Sequence, residues 1–222
     1  MRLSIVIPTW NAAQTLAAAL APLGHGDEIV VVDGGSTDGT LAEATRFGAR
    51  LVEAPRGRGV QLRHGAGAAR GDWLLFLHAD TRLGQDWRAA VARHASRPGG
   101  ADRAGVFRFA FDDESRAARF IELMVAARVR LLALPYGDQG LLIHRGLYER
   151  IGGYGSMPLM EDVDIVRRLG RARIAPLPVK ATTSARRWRE GGWARRVAIN
   201  LGCLVLFYLG ASSERIVKLY GR

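Results

Sequence analysis

Along the first eighty residues, short apolar runs alternate with longer amphipathic stretches. Residues 3–8, 28–33, 49–53 and 73–78 are brief, largely apolar runs bounded by Gly, Asp, Asn or Pro, and this pattern predicts strands. Between them, residues 12–20, 38–47 and 59–69 carry apolar positions at helical spacing, with Asn11 and Ser36 placed to cap the first two helices. Such alternation predicts βα units over a mostly parallel sheet, a Rossmann-like half. Beyond Asp80 the rhythm loosens. It predicts a helix over 85–96, a strand over 105–111, a long amphipathic helix over 114–134, a glycine-rich loop over 152–158 and a short helix opening at Glu161.

Near the end, residues 197–213 carry no charge and are flanked by Arg195 and Arg196 on one side and Glu214 and Arg215 on the other. Its apolar part, 197–211, is about 22 Å long as a helix, against roughly 30 Å of hydrocarbon in a bilayer. Asn200, Gly202 and Gly210 interrupt it further. The expectation is a helix lying on a membrane surface, or packed on protein as in a homodimer, rather than a spanning one. This divides the chain into a main domain, 1–190, and a basic and apolar helical segment, 191–222.

Composition changes this picture little and charge changes it more. With 222 residues, 48% hydrophobic and 24% charged, the chain suits one folded core, and neither disorder nor a multi-span membrane protein. The single cysteine, Cys203, excludes an internal disulfide, and the first apolar run is too short for a signal peptide, so a cytoplasmic setting is expected, with contact at the inner face of the membrane. Residues 163–222 hold 13 Lys or Arg against three acidic residues, while the first 162 are nearly neutral. Charge so distributed points to an anionic ligand or surface, or is solvated arginine. No nucleic-acid recognition motif or series of stacking aromatics accompanies it, so nucleic acid is not the expected partner.

In open α/β sheets ligands bind beyond the carboxyl ends of strands. Three polar segments fall there: Pro8 to Asn11, Asp33 to Thr40, and His78 to Thr81. A carboxylate at Asp33 with Thr9 nearby suits the N3–H of a uracil; alternatively Asp33 and Asp38 only shape turns and caps. Asp80 suits a hard divalent ion at a diphosphate, or else it is a loop aspartate. Glu161 and Asp162 open a helix about 100° apart, so they are no facing pair, yet one of them suits a general base whose ionised form the helix N-terminus favours; first-turn acids also occur for stability alone. The segment Ser184 to Arg189, with Arg186, Arg187 and Trp188, combines forked cations with an indole, fit for a diphosphate and a sugar, or else forms a surface patch. Tyr136, Asp138 and Gln139 are candidates for an acceptor pocket, or form a turn.

As a set, Pro8-Thr9-x-Asn11, Val31 to Thr40 with its Asp33-Gly34-Gly35-Ser36 core, Gly71 to Asp80, and Glu161-Asp162 resemble glycosyltransferase family 2. Within it, Gly57 to Gln61, Leu77 to Thr81 and Met160 to Asp164 are similar to a bacterial branch associated with radical-SAM and selenodomain proteins. The resemblance implies a GT-A fold and an inverting transfer of a sugar from a nucleotide-diphosphate donor, a UDP-sugar, to an acceptor hydroxyl. It implies donor contacts at Pro8, Thr9, Asn11, Asp33, Gly35, Arg58, Gln61, His78 and Asp80, and a Mn2+ or Mg2+ ion at Asp80. It also implies Asp162, with Glu161 beside it, as catalytic. Where the family pattern has Asp-x-Asp this chain has His78-Ala79-Asp80, which leaves His78 to ligate the ion or touch the ribose. Ser184 replaces the glutamine of processive members, which implies one sugar per encounter. The apolar C-terminal helix, not the resemblance, points to a lipid-linked or membrane-adjacent acceptor. Two other functions stand against this one: nucleotidyl transfer, for which no early glycine-rich, lysine-ending loop is found, and a non-catalytic nucleic-acid module using the basic end.

Overall fold

The computed structural model describes residues 1–24 and 26–221. In chain order the elements are β1 (Leu3–Thr9), α1 (Ala13–Leu20), β2 (Glu28–Asp33), α2 (Thr40–Arg46), β3 (Arg50–Glu53), α3 (Arg58–Ala68) and β4 (Trp73–Phe76). There follow β5 (Thr81–Leu83), α4 (Trp87–Ser96), β6 (Ala104–Phe111), α5 (Arg116–Leu132), β7 (Leu141–His144) and α6 (Arg145–Arg150). The chain continues through α7 (Glu161–Leu169), β8 (Ile174–Thr183), α8 (Arg186–Gly191), α9 (Trp193–Tyr208) and α10 (Ser213–Tyr220).

The strands form one eight-stranded sheet in the order β3-β2-β1-β4-β7-β6-β8-β5. β3, β2, β1 and β4 are parallel, while β7 runs antiparallel between β4 and β6. The result is the expected α/β, GT-A-like architecture with a mixed rather than parallel second half. Both faces of the first half are covered, which is why its strands read as nearly continuous apolar runs. Ile5, Ile7, Val31 and Leu75 pack on one side with Leu16 and Trp87; Val6, Val30, Val32 and Leu74 pack on the other with Leu62 and Ile165. Trimming one of these side chains to Ala is expected to cost about 2–5 kcal/mol.

Three features depart from or add to what the sequence predicts. Neither Asn11 nor Ser36 caps its own helix; α1 and α2 begin at Ala12 and Gly39 without a side-chain cap. The two polar loops bind each other instead: Asn11 Oδ1 accepts from Thr37 N at 2.9 Å, Ser36 Oγ accepts from Asn11 N at 2.9 Å, and Asp38 Oδ2 accepts from Ala13 N at 3.1 Å. Second, a ten-residue strand, β8, occupies a segment whose Pro176 and Pro178 argue against strand. It tolerates them because β5 pairs only with Ala181–Thr183, and the register with β6 slips just beyond the Val106–Pro176 pair, leaving Pro178 in the irregular stretch before Lys180. Third, the apolar C-terminal stretch is two helices. α9 ends at Tyr208, Gly210 turns at φ 74°, and α10 folds back so that Ile216 packs with Cys203 and Leu159. Among the described residues no helix is long and apolar enough to cross a membrane. Val197, Leu201, Val205 and Leu209 of this segment remain exposed, Leu209 at 76%.

Candidate functional site

The chain builds β1, β2 and β3 outward on one side, then crosses to place β4 on the other side of β1. The carboxyl ends of β1 and β4 therefore flank a topological switch point, where a crevice opens. A cleft of about 460 Å³ lies there. Its walls include Pro8 and Thr9 at the end of β1 and Asn11 after it, Arg58 and Gln61 on α3, and His78 and Asp80 after β4. Asp138, Arg187 and Trp188 close it from the second half of the chain. Ten of the expected site residues thus meet in one cavity although they are spread over 180 positions of sequence.

Asp33 and Gly35 are not in that wall. Asp33 is buried, and its carboxylate accepts four hydrogen bonds from protein: Oδ1 from Thr9 Oγ1 (2.9 Å) and Ser36 Oγ (2.5 Å), Oδ2 from Gly35 N (2.9 Å) and Ser36 N (2.7 Å). Burial works against its ionisation, yet the Ser36, Thr9 and Gly35 donors outweigh burial and hold the carboxyl below the usual range. Such a carboxylate shapes the loop that carries Thr9, and its lone pairs are already used. Gln61 plays a comparable part, its amide donating to Thr9 O (2.7 Å) and Val32 O (2.8 Å) and tying α3 to the ends of β1 and β2.

Across the cleft, His78 Nδ1 lies 2.9 Å from Asp138 Oδ1. Burial opposes protonation of the imidazole, but the hydrogen bond and charge of Asp138 prevail and raise it above its ordinary value. Gly137, next to Asp138, donates its N–H to Asp162 Oδ2 at 2.8 Å. A side chain at 137 has no room, since a Cβ there meets His78 Nε2 at 2.6 Å and Asp162 Oδ2 at 3.3 Å. This glycine lets Asp162 approach His78, which lines the cleft, although neither Asp162 nor Glu161 is part of the cleft wall itself. Asp162 also accepts from Val163 N at 2.8 Å, fixed in the first turn of α7.

Glu161 has a different setting. Its side chain is fully buried and its Oε1 lies 2.9 Å from Arg58 Nε. Burial disfavours the Arg58 charge, but Glu161, with Asp162 behind it, overcomes this and holds the guanidinium above its ordinary range. Breaking a buried pair strands the remaining charge, so Glu161 is tied to Arg58 and is not open to an acceptor; of the two carboxylates, Asp162 alone is partly exposed. Tyr136 and Gln139 lie outside the cleft. Gln139 is buried with its amide donating to Phe107 O at 2.9 Å.

Several cleft residues lay outside the sequence reading. Trp10, 45% exposed, carries the Arg56 guanidinium 3.3 Å above its ring, a cation–π platform at the cleft rim. Arg186 joins Arg187 as the sequence suggests, while Arg196 and Asn200 from α9 and Val217 and Tyr220 from α10 close the wall. The signal for the α9 pair is present in the sequence, since Arg196 and Asn200 are four apart and share a helix face. The arginines of this wall give it the positive charge a diphosphate needs. For a divalent ion, Asp80 offers a carboxylate with no hydrogen bond or salt bridge among the described residues, and His78 has its Nδ1 engaged by Asp138. Among the described residues no three His, Cys, Asp or Glu side chains form a metal-binding group. The residues fit an ion held by Asp80 with remaining positions filled by a ligand's oxygens and water, not one caged by protein.

Comparison with known proteins agrees with this geometry. One curated relative, the PGL/p-HBAD biosynthesis glycosyltransferase of Mycobacterium tuberculosis (strain ATCC 25177 / H37Ra), is 44% identical over 91 residues. That match covers 36% of this chain and 36% of the relative, so it spans about a third of the relative's length. Among solved structures, S. aureus TarS 1-349 in complex with UDP-GlcNAc superposes with a TM-score of 0.63 at 18% identity, over 82% of this chain and 59% of that one. Glucosyl-3-phosphoglycerate synthase from Mycobacterium tuberculosis, in complex with Mn2+, UDP and glucosyl-3-phosphoglycerate, superposes with a TM-score of 0.58 at 24% identity, over 95% and 81%. At these identities the structures share the fold. Residues 4–155, more than half of the chain, match the family described as "Glycosyl transferase family 2", and the chain belongs to that family.

Proposed function

We propose that the protein is an inverting glycosyltransferase that moves a sugar from a nucleotide-diphosphate donor, a UDP-sugar, to an acceptor hydroxyl. The observation that carries this reading is the junction at Gly137, which brings Asp162 up to His78 at the edge of an arginine-walled cleft containing Asp80. The ligands of the structural neighbours, UDP-GlcNAc in one and UDP with Mn2+ in another, support it. The diphosphate lies against Arg187 and its neighbours, and the base and ribose lie toward Thr9 and Asn11, with Asp33 shaping that loop from behind. Asp162 takes the acceptor's hydroxyl proton as the oxygen bonds to the anomeric carbon. The bond from that carbon to the diphosphate breaks, the nucleoside diphosphate leaves with its electron pair, and configuration inverts. Asp80, with His78 in the same wall, would hold a Mn2+ or Mg2+ ion. When bound, such an ion supplies positive charge to the leaving diphosphate. The motifs assign the chain to the radical-SAM and selenodomain-associated branch.

In this reading residues 1–190 are the catalytic domain, and 191–222 both complete the cleft wall and carry the exposed Val197, Leu201, Val205 and Leu209. Arg195, beside that apolar row, suits anionic headgroups, so the segment docks on the inner face of the cytoplasmic membrane and the acceptor is lipid-linked. Flotation with anionic liposomes supports this; a dimer in solution without flotation refutes it in favour of a second copy.

A thermal-shift screen of nucleoside diphosphates with Mn2+ or Mg2+ tests the donor reading. UDP with metal is expected to raise Tm, because a ligand that binds only the folded state stabilises it. No shift with any nucleoside diphosphate overturns the reading.

A further inference from the structure

Near Asp162, and outside the lining of the donor cleft, lies a cation with no salt-bridge partner among the described residues. Arg128 lies in the last turns of α5, and its Nε donates to Leu134 O at 2.9 Å. Its guanidinium lies flat on Tyr136, Cζ 3.8 Å from the ring centroid. Among the described residues these are its partners: neither terminal nitrogen has a hydrogen-bond acceptor, and no carboxylate forms a salt bridge with it. Burial disfavours its charge and outweighs the support that Tyr136, Asp162 and Asp138 give, so the guanidinium is held below its ordinary range. Its stacking partner is also incompletely satisfied, for the Tyr136 hydroxyl is buried without a hydrogen-bond partner.

This pair adjoins the reacting group through the backbone, since Tyr136 precedes Gly137, whose N–H binds Asp162. None of Arg128, Tyr136 and Asp162 lines the donor cleft, so a diphosphate there does not neutralise Arg128. A guanidinium fixed by a ring below and a carbonyl at Nε presents its two terminal nitrogens as a preset fork, the shape that carboxylates and phosphates accept in bidentate fashion. Two unfilled polar groups beside a general base define a place for part of the acceptor.

We propose that Arg128, stacked on Tyr136, binds an anionic group of the acceptor, which is therefore a hydroxyl compound bearing a phosphate or a carboxylate. The proposal rests on the reading of Asp162 as the base. The anion anchors one end of the acceptor on Arg128 while its hydroxyl reaches Asp162. A guanidinium that only fills space against Tyr136 predicts no such preference for charge.

The experiment uses the full chain with its donor cleft first saturated by UDP and Mn2+. Glycerol phosphate, glycerate and glycerol are then titrated by calorimetry, the first two separating phosphate from carboxylate. One of the two anions is expected to bind at least about tenfold more tightly than glycerol, as a charge-assisted bidentate contact provides. Arg128→Gln is expected to erase that preference and Arg128→Lys to keep part of it, with Tm and UDP affinity unchanged in both. Equal weakness of all three compounds, or a preference that survives in Arg128→Gln, overturns the proposal. Failure of UDP itself to bind overturns the donor reading and this inference with it.

Discussion

The two sides of the cleft differ in how completely the protein satisfies its own polar groups. On the β1–β2 side, Asp33 accepts four protein hydrogen bonds, Gln61 donates two, and Asn11, Ser36 and Asp38 bind across the loops. On the side of residues 128–162, the Tyr136 hydroxyl and Gln139 Oε1 are buried without a hydrogen-bond partner among the described residues, and the terminal nitrogens of Arg128 have no hydrogen-bond acceptor among them. The first side is a finished scaffold that presents backbone and Thr9 to a nucleotide. The second is left for a substrate to complete, and unpaired polar groups in a native structure mark such places.

The largest expected effect breaks the contrast at its reactive end. Asp162→Asn removes the proton acceptor but keeps an oxygen for Gly137 N, so the transfer rate should fall about 10²–10⁴-fold while UDP affinity stays within about twofold; steady-state kinetics and calorimetry measure the two. Unchanged turnover removes Asp162 from the mechanism. Next, Gly137→Ala should separate Asp162 from His78, since its Cβ meets the imidazole at 2.6 Å, and a misplacement of that order costs about 10²-fold in rate with folding retained. Wild-type kcat in this variant argues that the junction is irrelevant.

On the scaffold side, effects should appear in stability. Asp33→Asn puts an amide where two donors converge, and a loss of about 1–3 kcal/mol in urea unfolding is expected, larger than any change in UDP affinity. The same residue sets a pH dependence. Its folded-state pKa lies below the unfolded value, so its stabilisation is present above about pH 4 and is lost as pH falls through the lowered native value. Asp33→Asn should flatten that acid limb of the Tm profile, and an identical limb in both proteins excludes Asp33 as its source. The smallest effect concerns α9: Leu201→Glu on the exposed row should change stability by no more than about 0.5 kcal/mol yet abolish liposome flotation.

Legibility in the sequence follows the same division. The strands β1 to β4 and the start of α7 at Glu161 were readable because both faces of that half are buried and its turns carry Gly, Asp and Asn. β8 was not, because Pro176 and Pro178 signal against a strand and only a register slip, a tertiary feature, admits them. The motifs located Thr9, His78 and Asp80 at the cleft but left open that Asp33 is saturated behind it and that Glu161 is locked to Arg58, since both depend on contacts between distant segments. The spacing of Arg196 and Asn200 places them on one helix face, but that this face, with Tyr220, reaches the wall depends on the fold-back of α9 and α10, which no local pattern announced.

Titration of UDP into the wild-type protein and Asp80→Asn, each with and without Mn2+, tests most directly that this cleft holds a metal-bound diphosphate. Binding that Mn2+ strengthens in the wild type, and that loses this dependence in Asp80→Asn, is the predicted result. Equal UDP affinity in all four titrations contradicts the account.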